Sequence, residues 1–317
     1  MRDLTADRAA ELAADARAGL TATPKRLPPK YFYDARGSAL FEQITELPEY
    51  YPTRTERAIL DRYAAEIAKL SSADTLVELG SGSSAKTRLL LDALRETGTL
   101  RRYVPVDVSA AALAGAVGAL RSGYPGVVVE PVVADFGRHL DLLPRNGTRL
   151  VAFLGGTIGN LDPAQRADFL AGLRAVLSPG DTFLLGVDLV KDSARLIAAY
   201  DDAAGVTAEF NRNVLRVLNR ELAADFDPAA FGHHAVWDAD REWIEMRLRA
   251  ETAQTVRLAD LDLTVRFAAG EELRTEISAK FRRDRVSAEL TAAGLVPVAW
   301  FTDDDVDFAL SLSAAPS

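Results

Sequence analysis

Cysteine is absent from the 317 residues. That excludes disulfides, a thiolate zinc site and a cysteine nucleophile. Histidine is almost as scarce, at three residues (His139, His233 and His234). A histidine-based metal site is therefore not expected, and no metal is assigned. The adjacent pair His233-His234 reads as loop surface, because neighbours in sequence rarely aim at one centre. Basic residues are outnumbered, 37 Lys and Arg against 46 Asp and Glu, for a formal charge of −9. Phosphate backbones need clustered cations, and no local basic run supplies them, so nucleic acid is not an expected partner. No apolar run approaches the ~20 residues of a bilayer span, so no membrane partner is expected either. The opening stretch MRDLTADRAAELAADARAGL is charged throughout and lacks the apolar core of a signal peptide, which makes the cytoplasm the default location. Nothing in the sequence calls for an obligate protein partner. What is present is 48% hydrophobic residues, enough for one large domain or two ordinary ones. An acidic chain of this kind can still bind small organic cations.

From residue 57 onward the pattern alternates between helix and strand. TRTERAILDRYAAEIAKL reads as an amphipathic helix and TLVELG (75–80) as a buried strand. Helices are expected over 85–97, 110–125 and 162–180, and strands over 101–109, 127–136, 149–157 and 181–190. Asp162 and Pro163 form a helix-start signal, and Pro179-Gly180 a stop. Five strands separated by helices predict a parallel sheet with right-handed crossovers. A final helix (286–295) and two strands joined by a short link (296–304 and 306–314) predict a terminal antiparallel hairpin. Between 191 and 285 the pattern changes to helix over 192–225 and an antiparallel meander over 241–281, with LDLTVRF alternating strictly. Residues 23–56 also stand apart. Tyr31, Phe32, Tyr33, Phe41, Tyr50 and Tyr51 lie within 21 positions, too many rings for a linker, and suggest a pocket wall. The fold class is thus α/β. Five parallel strands with a closing antiparallel hairpin resemble the Rossmann-like core of class I methyltransferases, expected over 55–190 and 281–317, with a second, α+β substrate-binding domain expected over 1–54 and 191–280.

Three polar positions close consecutive strands of the core. VELGSGSSAKT (77–87) sits at a strand-to-helix junction, where Gly80 and Gly82 permit a sharp turn and close approach to a ligand. The third glycine that a dinucleotide pyrophosphate favours is missing, so a phosphate-free nucleoside such as S-adenosylmethionine suits the turn better. Asp107 stands where a carboxylate accepts ribose hydroxyls, with helix capping as the plain alternative. Asp135-Phe136 pairs an acceptor for an adenine amine with a ring, or is simply a strand end. Lys86 is either a ribose or carboxylate contact or a solvated first-turn residue. After the fourth strand, FLGGTIGNLDP places Asn160, both donor and acceptor, where amino-group methyltransferases hold the nucleophile. The Asn-Pro-Pro-Tyr of exocyclic-amine enzymes is not there. In RTEISAKF (274–281), alternation puts Arg274, Glu276, Ser278 and Lys280 on one face, spaced so that Glu276 and Ser278 reach both nitrogens of an imidazole; a solvated sheet face is the alternative.

Taken together, KYFYDARGSALFEQITELPEYYPTRTE, VELGSGSSAKT, VPVDVS, FLGGTIGN and RTEISAKF resemble the histidine-specific Nα-methyltransferases of ergothioneine biosynthesis over nearly the whole chain. The resemblance implies that Gly80, Gly82, Lys86, Asp107, Asp135 and Phe136 bind S-adenosylmethionine. It implies that Asn160 and Tyr200 hold the α-amino and carboxylate groups of L-histidine, while Glu276 and Ser278 read the imidazole with Tyr50 nearby. Tyr33, Phe41, Gly155, Thr157, Phe210 and Met246 would line the pocket, Tyr33 also relaying a proton through water. The implied reaction is three successive methyl transfers giving trimethylhistidine. A related enzyme acting on tryptophan or another aromatic amino acid, and a non-catalytic ligand-binding homologue, are the alternatives; Glu276 favours histidine, since a carboxylate does not suit an indole face.

Overall fold

The computed structural model describes residues 5–82, 86–108, 110–135 and 137–316. The chain forms two compact units. One comprises Met1–Tyr51 and Lys191–Ala279, the other Pro52–Val190 and Lys280–Ser317.

The second of these units is built on an eight-stranded sheet. Its order runs Val296–Thr302, Phe308–Ala314, Thr182–Asp188, Arg149–Phe153, Thr75–Leu79 and Arg102–Asp107, with the short strands Val128–Val129 and Val132–Val133 both pairing to the last. Every pairing is parallel except the two made by Phe308–Ala314, which is antiparallel to both neighbours. This is the α/β core with a terminal hairpin, and it is the class I methyltransferase arrangement. Thr75–Leu79, Arg149–Phe153 and Thr182–Asp188 are buried at every residue, which is why they read as unbroken apolar runs. The expected strand over 127–136 is in fact two pairs of residues. Pro131, lying between them, has no N–H to give a ladder. Helix Pro163–Val176 begins with a full capping box, Asp162 accepting from Ala164 and Gln165 while Gln165 accepts from the Asp162 amide. The chain leaves Thr75–Leu79 for a neighbour on one side and enters the next parallel neighbour, Arg149–Phe153, on the other. The strand order therefore reverses there, and the carboxyl ends at such a point open a crevice.

The other unit packs Thr5–Thr21, Ala35–Thr45, Ser193–Tyr200 and Val206–Glu221 with a four-stranded sheet. That sheet runs Lys25–Arg26, Glu272–Ala279, Trp243–Ala250, Phe231–Asp238. The single helix expected over 192–225 is two helices, because Gly205 at φ 75° breaks the run. The meander is likewise divided. Gln254–Leu258 and Leu263–Phe267 pair only with each other, forming a separate two-stranded sheet. Strand Phe231–Asp238 went unread in the sequence, and it carries His233 and His234. His233 is accordingly no loop surface residue: its side chain is buried.

A register shift lies between Arg274 and Glu276, opposite Arg247 and Met246. This β-bulge corrects the one-face reading of RTEISAKF. One extra residue, Thr275, reverses the alternation, so Arg274 shares a face with Glu245 and Arg247 while Glu276 and Ser278 share the opposite face with Met246 and Ile244. Lys280 lies beyond the strand, its ammonium 2.9 Å from Asp188 and fully buried.

Candidate active site

The donor side is assembled at the carboxyl ends of the core strands. The turn after Thr75–Leu79 is pinned to the next strand: Gly80 and Ser81 donate to the Val106 carbonyl (2.8 and 3.1 Å), and the Gly82 amide donates to the Asp107 carboxylate (3.0 Å). Gly80 and Gly82 adopt φ of 71° and 49°, a region that disfavours side chains. A Cβ on Gly82 would meet nothing within 4 Å among the described residues. Ser81 Oγ is buried and has no hydrogen-bond partner among the described residues. An orphaned hydroxyl beside a glycine and a strand-end carboxylate fits a polar nucleoside with an amino-acid tail, as S-adenosylmethionine has. Asp135 accepts from the Gly137 amide (2.8 Å) at the end of the outer strand, and Phe136 lies outside the described residues.

The acceptor turn follows Arg149–Phe153. Gly155 and Gly156 are consecutive residues at φ 77° and 68°, a conformation that two L side chains would strain. They turn the chain into the short 3-10 helix Thr157–Asn160, with Thr157 Oγ1 donating to the Leu154 carbonyl (3.0 Å). Asn160 is half-buried, and its side chain makes no hydrogen bond among the described residues, which leaves its amide able to serve a ligand.

Glu56 was not anticipated in the sequence, and it joins these two loops. It is fully buried on helix Pro52–Ser71, where it accepts from the Gly155 amide through both oxygens (2.7 and 3.0 Å) and pairs with the Lys86 ammonium. Helical periodicity held the clue. Glu56 precedes the buried Ile59 and Leu60 by three and four residues, so an acid occupies the apolar stripe. Glu78 is a second buried acid, bonded by Thr87 and by the Tyr103 hydroxyl (2.5 Å). Burial pushes its carboxyl up to about 7, against the lowering effect of those two hydrogen bonds and of Lys86.

In the other unit the remaining candidates form one connected set. Tyr33 meets Phe41 and Phe210 edge-on, with ring centroids 5.6 Å apart in each case. Phe41 continues to Tyr50 (6.1 Å), and Tyr50 to Tyr200 (6.2 Å). The Tyr200 hydroxyl is 2.7 Å from Ser278 Oγ. Glu276, opposite Met246 in register, lies on the same core-facing side as Ser278, and all three are buried. A carboxylate and hydroxyl on a face otherwise carrying Ile244, Met246 and Leu248 bring specific polarity into an aromatic and aliphatic setting. Of the tyrosine doublet, Tyr50 belongs to this set. Tyr51 turns elsewhere: its hydroxyl accepts from Lys191 (2.7 Å), and Arg195 covers its ring.

Behind this set runs a network that the sequence did not disclose. His233 Nε2 is 2.8 Å from the Tyr200 carbonyl, and its Nδ1 is 2.8 Å from Asn211 Nδ2. A carbonyl can only accept and an amide NH₂ only donate. The ring is therefore neutral, with its proton on Nε2. Burial, the leading influence, lowers its pKa below the ordinary value and outweighs the raising effect of the Tyr200 carbonyl. Asn211 also accepts from Thr275 Oγ1 (2.6 Å), the extra residue of the bulge next to Glu276. On the sheet's opposite face, Glu245 is held below the ordinary carboxylate range: burial would raise it, but Arg247 (2.6 Å) and Arg274 (3.0 Å) prevail.

Comparison with known proteins matches the chain to one family. The family model described as "Histidine-specific methyltransferase, SAM-dependent" matches residues 12–315. Over 311 residues the chain is 62% identical to the histidine N-alpha-methyltransferase of Mycolicibacterium smegmatis, covering 98% of this chain and 97% of that one. It is 59% identical over 303 residues to the histidine N-alpha-methyltransferase of Mycobacterium tuberculosis, covering 96% and 94%. It is also 32% identical to ergothioneine biosynthesis protein 1 of Neurospora crassa, over 88% of this chain and 32% of that longer protein. Among the described residues no helix is long and apolar enough to cross a membrane. With a strand order that reverses at the glycine turn and a match spanning nearly its full length, the chain belongs to the S-adenosylmethionine-dependent, histidine-specific methyltransferase family.

Proposed function

We propose that this enzyme transfers three methyl groups, one at a time, from S-adenosylmethionine to the α-amino group of L-histidine, giving trimethylhistidine (hercynine) in the first step of ergothioneine biosynthesis. S-adenosylmethionine supplies the electrophilic methyl and leaves as S-adenosylhomocysteine. The observation that carries the histidine assignment is Glu276. A buried carboxylate on the core face that also carries Ile244 and Met246, next to a Ser278–Tyr200 hydroxyl pair, suits a ligand with N–H groups, and imidazole has them.

In this reading Gly80, Gly82, Lys86, Asp107, Asp135 and Phe136 take the cofactor. Asn160 binds the amino group and Tyr200 the carboxylate of histidine; Glu276, Ser278 and Tyr50 take the ring; Phe41, Gly155, Thr157, Phe210 and Met246 shape the space. Free α-ammonium groups titrate at about pH 8 or above, so the neutral amine is a minority species that must be selected or favoured by desolvation. Positioning of that amine supplies the rate, with Tyr33 receiving the released proton through water. The consecutive glycines at 155 and 156 leave room as methyls accumulate, and rings such as Tyr33 suit the growing cation. A cytoplasmic location is part of the same proposal. Product analysis by mass spectrometry after incubation with S-adenosylmethionine and each amino acid tests it: histidine alone should be trimethylated.

A further inference from the structure

The buried acid beneath the donor loop has no place in the scheme above. Glu56 is 0% exposed. A carboxylate in a dry interior is costly unless it is paired and hydrogen-bonded, and an apolar residue of similar size would generally hold two loops together as well. The surrounding chain is shaped to admit it. On strand Thr182–Asp188, a Cβ at Gly186 would lie 2.3 Å from Glu56 Oε1, so only glycine leaves room for the carboxylate. Both oxygens are anchored by the Gly155 amide at 2.7 and 3.0 Å, which fixes the carboxylate in rotation. Among the described residues the carboxylate also pairs with the Lys86 ammonium, whose side chain is 22% exposed against none for the acid. The pair thus has a buried fixed end and a cation reaching outward. That cation stands 3.7 Å from where a Gly155 Cβ would be, at the start of the helix that follows the donor turn.

We propose that Glu56 is a positioning residue for the methyl donor: held by the Gly155 amide, it aims the Lys86 ammonium at the cofactor crevice. The inference rests on the reading of Lys86 as a cofactor contact. A long lysine side chain has many rotamers, and ordering it before the ligand arrives lowers the entropy lost on binding. The group recognised is anionic or an oxygen acceptor, as are the carboxylate and ribose of S-adenosylmethionine.

Calorimetric titration of the full chain with S-adenosylhomocysteine, for the wild type, Glu56→Gln, Lys86→Met and the double variant, tests this. Glutamine keeps the volume and an oxygen for Gly155 but loses the ion pair. Glu56→Gln should weaken binding about tenfold, the scale of a hydrogen bond to a charged group. Lys86→Met should weaken it at least as much, and the double variant should equal Lys86→Met, because Glu56 acts only through the lysine. In steady-state kinetics Glu56→Gln should raise KM for S-adenosylmethionine and leave KM for histidine unchanged. Wild-type affinity in Glu56→Gln alone, additive losses in the double variant, or equal rises in both KM values would overturn the proposal while leaving Lys86 as a cofactor residue. Wild-type affinity in Lys86→Met would overturn both readings.

Discussion

The two units present their chemistry differently. In the sheet core the candidate groups are turn backbone and side chains at strand ends or just after them, such as Gly82, Asp107, Gly155 and Asn160. In the other unit they are buried side chains on regular strands and helices, such as Tyr200, Glu276 and Ser278, fastened by further side chains behind them. Loop sites are set by backbone conformation and tolerate changes in surrounding side chains. Sites on a packed sheet face are set by register and by the satisfaction of neighbouring polar groups, so they are vulnerable at residues that touch no ligand.

The largest expected effect separates the two ligands within the sheet core. Asn160→Ala should lower kcat/KM about 100-fold or more, since both binding and presentation of the amine are lost, while S-adenosylhomocysteine affinity measured by calorimetry stays within about twofold of wild type. Equal losses for both ligands would make Asn160 a structural turn residue. Glu276→Ala should cost histidine binding about 1.5–3 kcal/mol with cofactor binding intact, as titration with each ligand would show. Asn211→Ala removes the donor to His233 Nδ1 and one of two acceptors of the Thr275 hydroxyl, and leaving the buried ring nitrogen unsatisfied should cost about 1–3 kcal/mol of stability in chemical denaturation. If the network positions Tyr200 and the bulge, histidine affinity should fall too; unchanged affinity would restrict it to a folding role.

Acid and base should also distinguish the units. His233 is depressed by burial, so its stabilising contribution is present above pH 6.5 and is lost as pH falls through its folded value. Glu78 is raised to about 7 from 4.5, so its contribution is full below pH 4.5 and is lost as pH rises through about 7, with a slope of about 1.4 kcal/mol per pH unit. Denaturation across pH 4–8 should show the alkaline loss flattened in Glu78→Gln and part of the acid loss removed by changes at His233. The smallest effect belongs to Gly155→Ala. Forcing a Cβ into φ 77° should cost about 1–2 kcal/mol of stability, visible as a modest fall in Tm.

Legibility in the sequence followed the same division. The core could be read because each device has a local signal: the G-S-G turn, the Asp162-Pro163 start, the apolar runs and the closing hairpin. The break at Pro131 was equally local and was overlooked. In the other unit alternation and clustered rings pointed to Glu276, Ser278 and Tyr50, while Tyr200, Phe210 and Met246 came from resemblance, and nothing in RTEISAKF marks the bulge at Thr275 that separates Arg274 from Glu276. Strand Phe231–Asp238 had a faint signal in the alternation of Phe231, His233, Ala235 and Trp237, which the pair of histidines obscured. The roles of Glu56 and Asn211 depend on partners 99 and 64 residues away, a separation that no window along the chain samples.

The direct test of the whole account is a competition in one vessel. The enzyme is given S-adenosylmethionine with histidine and tryptophan at equal concentration, and the products are resolved by mass spectrometry. The account predicts that histidine accumulates three methyls on its α-nitrogen while tryptophan is recovered unchanged, and that Glu276→Ala erodes this preference. Methylated tryptophan as the main product, or histidine methylated on the ring, would contradict it.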